Sequence, residues 1–339
     1  MNIKILTSNQ KFYWGIVPEL ELTSLNKNIS KVGFKKAIKL HKFTQRFDYA
    51  TDPNRANSIK FIFPEKLPYR VLEIGCGYGN LTIELAKKFE HVDAVDAVYQ
   101  SLLFTKYRLA DMKISNTRLF QTDIFENKNF LNSFKNNSYD LVIVNGVLEW
   151  IGSGTKKGNP KDYQTQFLTT CFQKLKNEGL LFLAIENRNY PGWIKRDPHS
   201  KMPLTAIAPR IIASLISLCI SQKTYRTYIY SYNSLSKLMK KSGFYLNSKF
   251  YVYHSYRSPK ILFQDDKNLA RELLDALPKK SLTTKWRMFI RFGFKFNLID
   301  KLIPTFTHIY EKQNNAKLMP KYKFAFIKGK KLIFESGSK

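Results

Sequence analysis

The chain has 339 residues, a formal net charge of +30 at pH 7 and three cysteines, and its length allows one large domain or two small ones. The cysteines Cys76, Cys171 and Cys219 lie far apart and form no C-x-x-C motif, which excludes a disulfide framework and argues against a structural zinc site. The N-terminal segment MNIKILTSNQKFYWG has no hydrophobic signal core, so we expect a cytoplasmic protein.

The predicted elements begin with a mostly helical, basic lead-in over residues 1–67, in which LNKNISKVGFKKAIKLHKF is a candidate amphipathic helix. Residues 68–187 alternate short apolar runs with helical patterns, which predicts a parallel sheet covered by helices on both faces. A first insertion, rich in proline and aromatic residues, interrupts this alternation at 188–232, before SYNSLSKLMKKSGF and YLNSKFYVY resume it as helix and strand. A second, basic insertion follows at about 258–320, KYKFAFIKGKK is the predicted last strand, and 334–339 is a polar tail.

Three glycines occupy alternate positions in the predicted strand-to-helix turn of VLEIGCGYGNLTIEL. They are Gly75, Gly77 and Gly79, and they follow the acidic Glu73. Backbone N–H groups and a helix N-terminus face the ligand at such a turn, and glycine lets the ligand approach without meeting a Cβ atom. The dinucleotide fingerprint G-x-G-x-x-G needs a small residue where this chain has Asn80, so a nicotinamide cofactor is the second choice.

The pattern Glu73-x-Gly75-x-Gly77-x-Gly79 resembles the cofactor motif of class I S-adenosylmethionine-dependent methyltransferases. The resemblance implies a Rossmann-like α/β fold over residues 68–333, with a seven-stranded, mostly parallel sheet, an antiparallel last strand and helices on both faces. It also implies that S-adenosyl-L-methionine is the cofactor. The cofactor-binding residues that it implies are Glu73, Gly75, Cys76, Gly77, Gly79, Asp96, Ala97, Asp123, Ile124, Asn145 and Gly146.

The resemblance gives several of these residues a role. Asp96 ends the second predicted strand, where the family has an acidic residue that binds both ribose hydroxyls, and Asp93 is the weaker alternative. Asp123 follows the third strand, near the place of the adenine, and the backbone of Asn145 and Gly146 follows the fourth, beside the methionine moiety. Because the cofactor carries a sulfonium cation and the chain is strongly basic, binding needs local carboxylates at one edge of the sheet.

A narrower resemblance comes from less common stretches of the sequence. The segments R-A-N at 55–57, G-V-L-E-W at 146–150 and E-N-R at 186–188 resemble bacterial methyltransferases of O-antigen and other cell-surface polysaccharide synthesis. This resemblance implies a small-molecule or glycan acceptor, free or lipid-linked. The following segment, NYPGWIKRDPHSK, departs from those relatives, which leaves the acceptor and its methylated atom open.

Candidate catalytic residues lie after the fourth and fifth predicted strands. His199 is the best candidate for a general base, because imidazole titrates near neutral pH, and an ordinary loop histidine is the alternative. Glu149 is placed to orient the acceptor or the cofactor, unless it is a plain loop carboxylate. Arg188, Lys195 and Arg196 lie near enough in sequence to grip a phosphate, although a solvated basic loop explains each of them equally well.

The positive charge is concentrated outside the cofactor half, since residues 1–150 carry +6 and residues 151–339 carry +24. One interpretation is an RNA methyltransferase with a phosphate-binding surface, but the aromatic residues follow apolar spacing and no appended RNA-binding module is recognisable. A solvated surface produced by coding bias and contact with an anionic membrane are the other interpretations. A non-catalytic nucleotide-binding or membrane-associated protein is the alternative from another class.

Two stretches favour peripheral contact with an anionic membrane at its inner face. RIIASLISLCI is apolar nearly all round but too short to span a bilayer, which needs about 20 residues. KWRMFIRFGFKFNLIDKLIP interleaves aromatic and basic residues, a pattern typical of the headgroup boundary. Helices packed on the catalytic core or in a dimer would show the same pattern.

Overall fold

The computed structural model shows one large sheet covered by helices on both faces. It describes residues 2–6, 15–125, 129–155, 158–253, 255–266, 284–313, 324–328 and 331–335, together with residues 268, 272, 274 and 277. Alternate residues of the strands enter two separate apolar cores, as the neighbouring residues Val71 and Leu72 of strand Leu67–Ile74 do. This alternation is expected for a sheet buried on both faces.

The described part of the chain contains eleven strands in this sheet. In chain order they are β1 (Ile3–Ile5), β2 (Leu67–Ile74), β3 (Phe89–Asp96), β4 (Thr117–Gln121), β5 (Tyr139–Asn145), β6 (Leu175–Glu186), β7 (Tyr245–Tyr253), β8 (Ile261–Gln264), β9 (Thr305–Glu311), β10 (Phe324–Lys328) and β11 (Lys331–Glu335). Their spatial order is β1-β4-β3-β2-β5-β6-β9-β7-β8-β10-β11. The strands from β1 to β6 pair in parallel, β9 is antiparallel to both β6 and β7, and antiparallel pairs continue through β8, β10 and β11.

The order β4-β3-β2-β5-β6-β9-β7 confirms the predicted Rossmann-like methyltransferase sheet. The position of its antiparallel strand differs from the prediction. KYKFAFIKGKK contributes β10, whereas the antiparallel strand of the core is β9, inside the predicted second insertion. Every residue of β9 is buried, including the polar Thr305, Thr307 and His308. The sequence therefore lacks the apolar–polar alternation of a half-exposed strand, and its polar residues suggest a loop.

Helices cover the two faces of the sheet, and further helices form the N-terminal lead-in. They are α1 (Glu19–Val32), α2 (Phe34–Leu40), α3 (Gln45–Thr51), α4 (Asn57–Ile62), α5 (Asn80–Lys88), α6 (Tyr99–Asp111), α7 (Pro160–Lys174), α8 (Arg210–Ser221), α9 (Tyr232–Lys241), α10 (Thr284–Lys295) and α11 (Ile299–Leu302). Short 3₁₀ helices lie at Pro53–Ala56, Leu148–Trp150 and Pro191–Ile194. Local signals start several helices, since the side chain of Asn159 accepts from the N–H of Lys161 at the start of α7 and Pro160 needs no N–H partner there.

The N-terminal lead-in forms α1 to α4, with β1 added to the edge of the sheet beside β4. The predicted amphipathic helix is divided at Gly33, whose φ of +82° ends α1 before α2 begins. Leu22 and Leu25 of α1 share a third apolar core with Tyr78 and Phe104. The lead-in is therefore packed against the turn that follows β2 and against α6.

The two predicted insertions contain regular structure. The first holds a 3₁₀ helix and α8, and the second holds β8, α10, α11 and β9. The predicted polar tail begins inside β11, and its residues 336–339 lie outside the described residues. Among the helices of the described segments, none combines the length and the apolarity that crossing a bilayer requires.

Candidate active site

A cavity of about 220 Å³ lies at the carboxyl ends of β2, β3 and β5. In open α/β sheets, ligands bind at this edge because the turns after neighbouring parallel strands meet there. The glycine turn after β2, the loop after β5, the lead-in helices and the residues after β7 all contribute side chains or backbone to the lining. Parts of the chain that are distant in sequence therefore meet at one opening.

The glycine turn is fixed to β3 and leaves open space in the cavity. The N–H groups of Gly75 and Cys76 donate to the carbonyl oxygen of Val95 at 2.8 and 3.0 Å. Gly77 has a φ of +51°, and a Cβ atom built on it would meet no atom within 4 Å. Any side chain at position 77 would therefore be strained and would enter room that a ligand can use.

Asp96 ends β3 beside this turn. Its Oδ2 accepts a hydrogen bond from the N–H of Gly77 at 2.7 Å, and its Oδ1 accepts one from the N–H of Val98 at 2.8 Å. Burial raises the pKa of Asp96, although these backbone N–H groups oppose the shift. A carboxylate offers about four acceptor sites, so Asp96 retains capacity for hydroxyl groups of a ligand in the cavity that it lines.

Asp93, the alternative to Asp96, serves a different environment. It accepts hydrogen bonds from Arg118 at 2.6 Å, from the hydroxyl of Tyr139 at 2.6 Å and from Arg70 at 3.1 Å. Burial alone would raise the pKa of Asp93, but these donors outweigh it and lower that pKa. Asp93 is a saturated structural carboxylate, and Asp96 is the aspartate of β3 at the cavity.

Glu73 brings a buried carboxyl group to the same cavity. Its side chain is 3 % exposed and accepts a hydrogen bond from the hydroxyl of Thr82 at 2.7 Å. Burial raises the pKa of Glu73 to about 8, with the hydrogen bond from Thr82 opposing and the charge of Asp96 adding to the shift. A cation bound in the cavity would favour the ionised form and reverse the shift.

Seven of the predicted cofactor residues line the cavity, namely Glu73, Gly75, Cys76, Gly77, Asp96, Asn145 and Gly146. Among the described residues, four predicted ones do not line it, namely Gly79, Ala97, Asp123 and Ile124. Asp123 instead accepts a hydrogen bond from the N–H of Phe125 at 3.0 Å, and Phe125 lines the cavity. Ile124 packs under the turn, with its Cδ1 3.7 Å from the Cβ position of Gly75.

The lead-in covers one side of the cavity. The N–H of Val17 donates to the hydroxyl of Tyr78 at 2.9 Å, and Ile16 and Ala50 line the opening. Arg55 lines it as well, and within the described residues its Nη1 is buried without a hydrogen-bond partner. Leaving a buried charged donor unpaired is costly, so an anionic group of a ligand is the natural partner for Arg55.

A buried polar cluster adjoins the other side of the cavity, behind Tyr256. The hydroxyl of Tyr256 lies 2.9 Å from Oε1 of Glu149 and 2.9 Å from Oε1 of Glu186, and it donates its one proton to either carboxylate. Arg257 donates to the same Oε1 of Glu186 at 2.7 Å. Nε2 of His199 lies 3.3 Å from Oε2 of Glu186 and 3.8 Å from Oε1 of Glu149.

Two cations balance the two carboxylates of this cluster. Burial alone would lower the pKa of His199, but Glu186 and Glu149 raise it to about 9. The charges of Arg257 and His199 likewise outweigh burial and lower the pKa of Glu186, whereas burial and the charge of Glu186 raise the pKa of Glu149. The donor atoms of Glu149, Glu186 and His199 lie within 4.8 Å of one another, a spacing that also suits a divalent cation. In this structure, Arg257 and the protonated ring of His199 already supply the positive charge that the carboxylates need.

The structure brings the predicted catalytic residues His199 and Glu149 together but not as loop residues facing an acceptor. Glu149 is fully buried. The ring of His199 is 1 % exposed and packs edge-on against Trp150, with ring centroids 4.9 Å apart. Asp197 holds this position, because it accepts hydrogen bonds from the N–H of His199 and from the hydroxyl of Tyr225. Among the described residues, Tyr256 and the two carboxylates connect His199 to the cavity.

Sequence reasoning missed Tyr256 and Arg257, which follow β7 in a stretch without a motif. The fold brings them to the cavity because β7 lies beside β9 in the sheet. One signal was available at Gly146, whose φ is +70° and whose Cβ position lies 2.5 Å from the ring of Tyr256. Gly146 therefore makes room for this tyrosine as well as for a ligand.

An open cleft of about 520 Å³ continues outward from Arg257, which also lines the cavity. Among the predicted phosphate-binding residues, Arg196 lines this cleft. Arg188 instead donates to the carbonyl oxygen of Ala208 at 2.9 Å, and Lys195 is exposed. The aromatic and cationic side chains of the cleft include Tyr49, Tyr190, Trp193, Arg196, Lys201 and Arg257.

Comparisons with known proteins match parts of the chain. A family model described as a methyltransferase domain matches residues 72–181. The malonyl-[acyl-carrier protein] O-methyltransferases of Bacillus cereus and Halalkalibacterium halodurans are 27 % and 34 % identical to this chain over 128 and 122 residues. These matches cover 37 % and 34 % of this chain and 40 % and 39 % of the relatives, so the chain spans about two fifths of the length of the curated relatives it matches.

A solved structure of an S-adenosylmethionine-dependent methyltransferase from Methanosarcina mazei is 16 % identical and has a TM-score of 0.43, covering 72 % of this chain and 92 % of that chain. The segment matched by the family model contains the glycine turn, Asp96 and Asn145. These residues line the cavity at the carboxyl edge of a sheet with the predicted strand order. Residues 72–181 of the chain therefore match a methyltransferase domain in sequence, and the cavity lies at the edge of the sheet where the predicted cofactor residues were expected.

Proposed function

We propose that the protein transfers a methyl group from S-adenosylmethionine to a small-molecule or glycan acceptor that bears a phosphate, as an intermediate of cell-surface polysaccharide synthesis would. The observation that carries this proposal is the position of Arg257, which lines both the cofactor cavity and the aromatic and cationic cleft. An acceptor held in the cleft would extend past Arg257 towards Tyr256, which lines the cavity.

The lining residues fit the parts of the cofactor. S-adenosylmethionine supplies a methyl group on a sulfonium cation when it is bound. The resemblance assigns the ribose hydroxyls to Asp96 and the methionine moiety to the backbone of Asn145 and Gly146. The buried Nη1 of Arg55 suits the carboxylate of that moiety, and the open space at Gly77 admits the ligand along the turn.

Arg55→Gln should weaken binding of S-adenosylhomocysteine about tenfold, because a hydrogen bond to a charged group contributes roughly 1.5–3 kcal/mol. Titration calorimetry with the purified protein measures the change. Methylthioadenosine, which keeps the adenosine and lacks the carboxylate, is the matched ligand, and its affinity should stay within about twofold of the wild-type value. An equal loss for both ligands would remove Arg55 from the carboxylate site.

Asp96→Ala should lower cofactor affinity at least about tenfold, since both ribose hydrogen bonds are charge-assisted. The matched control is Asp93→Asn, which should lower the thermal stability through its lost pairs with Arg118 and Arg70 but leave cofactor affinity unchanged. Calorimetry and thermal unfolding separate the two effects. Unchanged affinity in Asp96→Ala would contradict the assignment of Asp96.

The cleft supports an acceptor that is both cyclic and anionic. Tyr190 and Trp193 offer ring faces on which the apolar face of a sugar ring packs, and Arg196 and Lys201 offer charge-assisted donors for a phosphate. A sugar phosphate or a lipid-linked sugar combines these two features. The curated relatives are named malonyl-[acyl-carrier protein] O-methyltransferases, but they match only 37 % and 34 % of this chain, so we do not transfer their acceptor to the cleft.

Methylation of a hydroxyl group releases a proton, and Tyr256 is placed to accept it. Its hydroxyl lies at the cavity and hydrogen-bonds to Glu149 and Glu186 behind it. Tyr256 can accept the acceptor's proton while it donates its own to one of these carboxylates. The positive charges of Arg257 and His199 keep Glu186 ionised and make it the weaker base, whereas Glu149, whose pKa is raised, holds a transferred proton more firmly.

Incubation with methyl-labelled S-adenosylmethionine and separated lipid-linked saccharide, soluble saccharide, protein and RNA fractions tests the function. Label in a saccharide fraction supports the proposal. Label only in RNA, or only in an acyl-carrier-sized protein, would overturn the acceptor class but keep methyl transfer. Cofactor binding without label in any fraction would favour a non-catalytic binding protein.

A further inference from the structure

The helix α8 presents its apolar side chains in the reverse of the usual arrangement. Its buried residues are the small Ala213 and Ser217. Its large aliphatic residues lie on the surface with exposed fractions between 44 % and 78 %, namely Ile211, Ile212, Leu215, Leu218 and Ile220. A helix of a soluble domain normally buries its large apolar face, so this surface is built for contact with an apolar environment.

A second exposed apolar surface lies on α10. Met288 and Phe292 of α10 and Phe296 directly after it are spaced four residues apart and are between 49 % and 66 % exposed. The other aromatic residues of this helix face inward, since Trp286 packs on Tyr253 with ring centroids 4.5 Å apart. Trp286, an aromatic residue of the stretch predicted to contact the membrane, is therefore packed inward, and Met288, Phe292 and Phe296 form the exposed surface.

Both helices are attached to the segment that follows β6. Arg188 holds the chain just before α8 through the carbonyl oxygen of Ala208. Tyr190 stacks on Trp286 of α10, with ring centroids 6.4 Å apart and ring planes 16° apart. The α8 and α10 surfaces are therefore held near the edge of the sheet that carries the cavity.

Both helices also lie in stretches without acidic residues. Residues 198–264 contain ten Lys or Arg and no Asp or Glu, and residues 276–299 contain six Lys or Arg and no Asp or Glu. Lys223 after α8 and Lys295 at the end of α10 are exposed. Exposed apolar side chains near these exposed lysines, in stretches without acidic residues, match the two parts of an anionic lipid bilayer, its acyl boundary and its headgroups.

We infer that the exposed faces of α8 and α10 bind the surface of an anionic membrane. A second copy of the chain is a poor occupant, because it would bring the same excess of positive charge against this surface. RNA is a poor occupant as well, because it offers no partner for exposed isoleucine and leucine side chains. The inference does not depend on the acceptor, although a lipid-linked acceptor would be reached from the same membrane.

Flotation of the purified full-length protein with vesicles tests this inference. Vesicles of phosphatidylcholine alone should leave the protein unbound, whereas vesicles that also contain phosphatidylglycerol should float it at low salt and release it at high salt. The double variant Ile211→Ser/Leu215→Ser should reduce the bound fraction about tenfold or more, because it removes two side chains that enter the interface.

Leu20→Ser is the matched control for that variant. Leu20 is 86 % exposed on α1 between two glutamates, so the same chemical change there should leave vesicle binding unaltered. Circular dichroism confirms that each variant is folded. Equal binding by wild type and double variant, no binding to anionic vesicles, or a dimer that the double variant abolishes would each overturn the inference.

Discussion

Gly77→Val should lower the affinity for S-adenosylmethionine at least about a hundredfold while the protein remains folded. The substitution places a branched side chain in the open space beside the turn and forces a β-branched residue to a φ of +51°. The displaced turn would also lose the N–H that donates to Asp96. These losses together amount to about 3 kcal/mol, which corresponds to a hundredfold change in affinity.

Gly33→Val provides a control with the same backbone strain. Gly33 also has a positive φ, of +82°, and a Cβ built there also meets nothing within 4 Å, but it lies between α1 and α2 and does not line the cavity. Both variants should lose similar thermal stability, and only Gly77→Val should lose binding by calorimetry. If Gly77→Val bound the cofactor normally, the turn would not be the binding surface.

The parallel half of the fold was accessible from the sequence because its signals are local. The strands β2, β3 and β5 are short apolar runs, and each is followed by a helix or loop with its own polar start. The antiparallel strand β9 was not accessible, since burial on both faces and partners supplied by β6 and β7 allow Thr307 and His308 in its interior. Long-range pairing, and not local pattern, decides such a strand.

The site divides in the same way. Residues at or just after strand ends, such as Gly77, Asp96 and Asn145, were predicted through the family resemblance and lie at the cavity. Arg55 and Tyr256 lie on either side of this segment in the sequence and arrive through the packing of the lead-in and through the order of the sheet. His199 was predicted as a general base in a loop, but its burial depends on Asp197 and the two glutamates, which no spacing rule joins to it.

The charge of His199 should make the unfolding free energy depend on pH, and this can be measured without an acceptor. Its folded pKa of about 9 lies above the ordinary value of 6.5, so the ring stabilises the fold fully below pH 6.5 and loses this contribution as the pH rises to about 9. The difference in unfolding free energy between wild type and His199→Gln should therefore shrink across this window. A pH-independent difference would show that the ring is not held as a cation.

Tyr256→Phe should lower kcat by about 10²–10³-fold while cofactor affinity stays within about twofold, because the variant keeps the ring and removes only the hydroxyl at the cavity. His199→Ala should lower it within the range of about 10²–10⁴-fold, through the carboxylates and not by contact with the acceptor. Single-turnover rates, with the fraction that accepts the methyl label as the substrate, measure both effects. Normal turnover by Tyr256→Phe would return the cluster to a purely structural role.

The pH profile of His199→Gln distinguishes a proton route from a metal site. Loss of the buried cation raises the pKa of Glu149 and Glu186, so the rising limb of kcat against pH should move to higher pH. Arg257 remains beside Glu186, so activity should persist on the alkaline side of the profile.

EDTA should leave wild-type turnover unchanged if His199 and Arg257 are the only cations of the cluster. Loss of activity with EDTA and its recovery with Mn²⁺ or Zn²⁺ would instead assign Glu149, Glu186 and His199 to a metal ion. The rising limb of kcat against pH would then move with metal occupancy and not with the charge of the His199 ring.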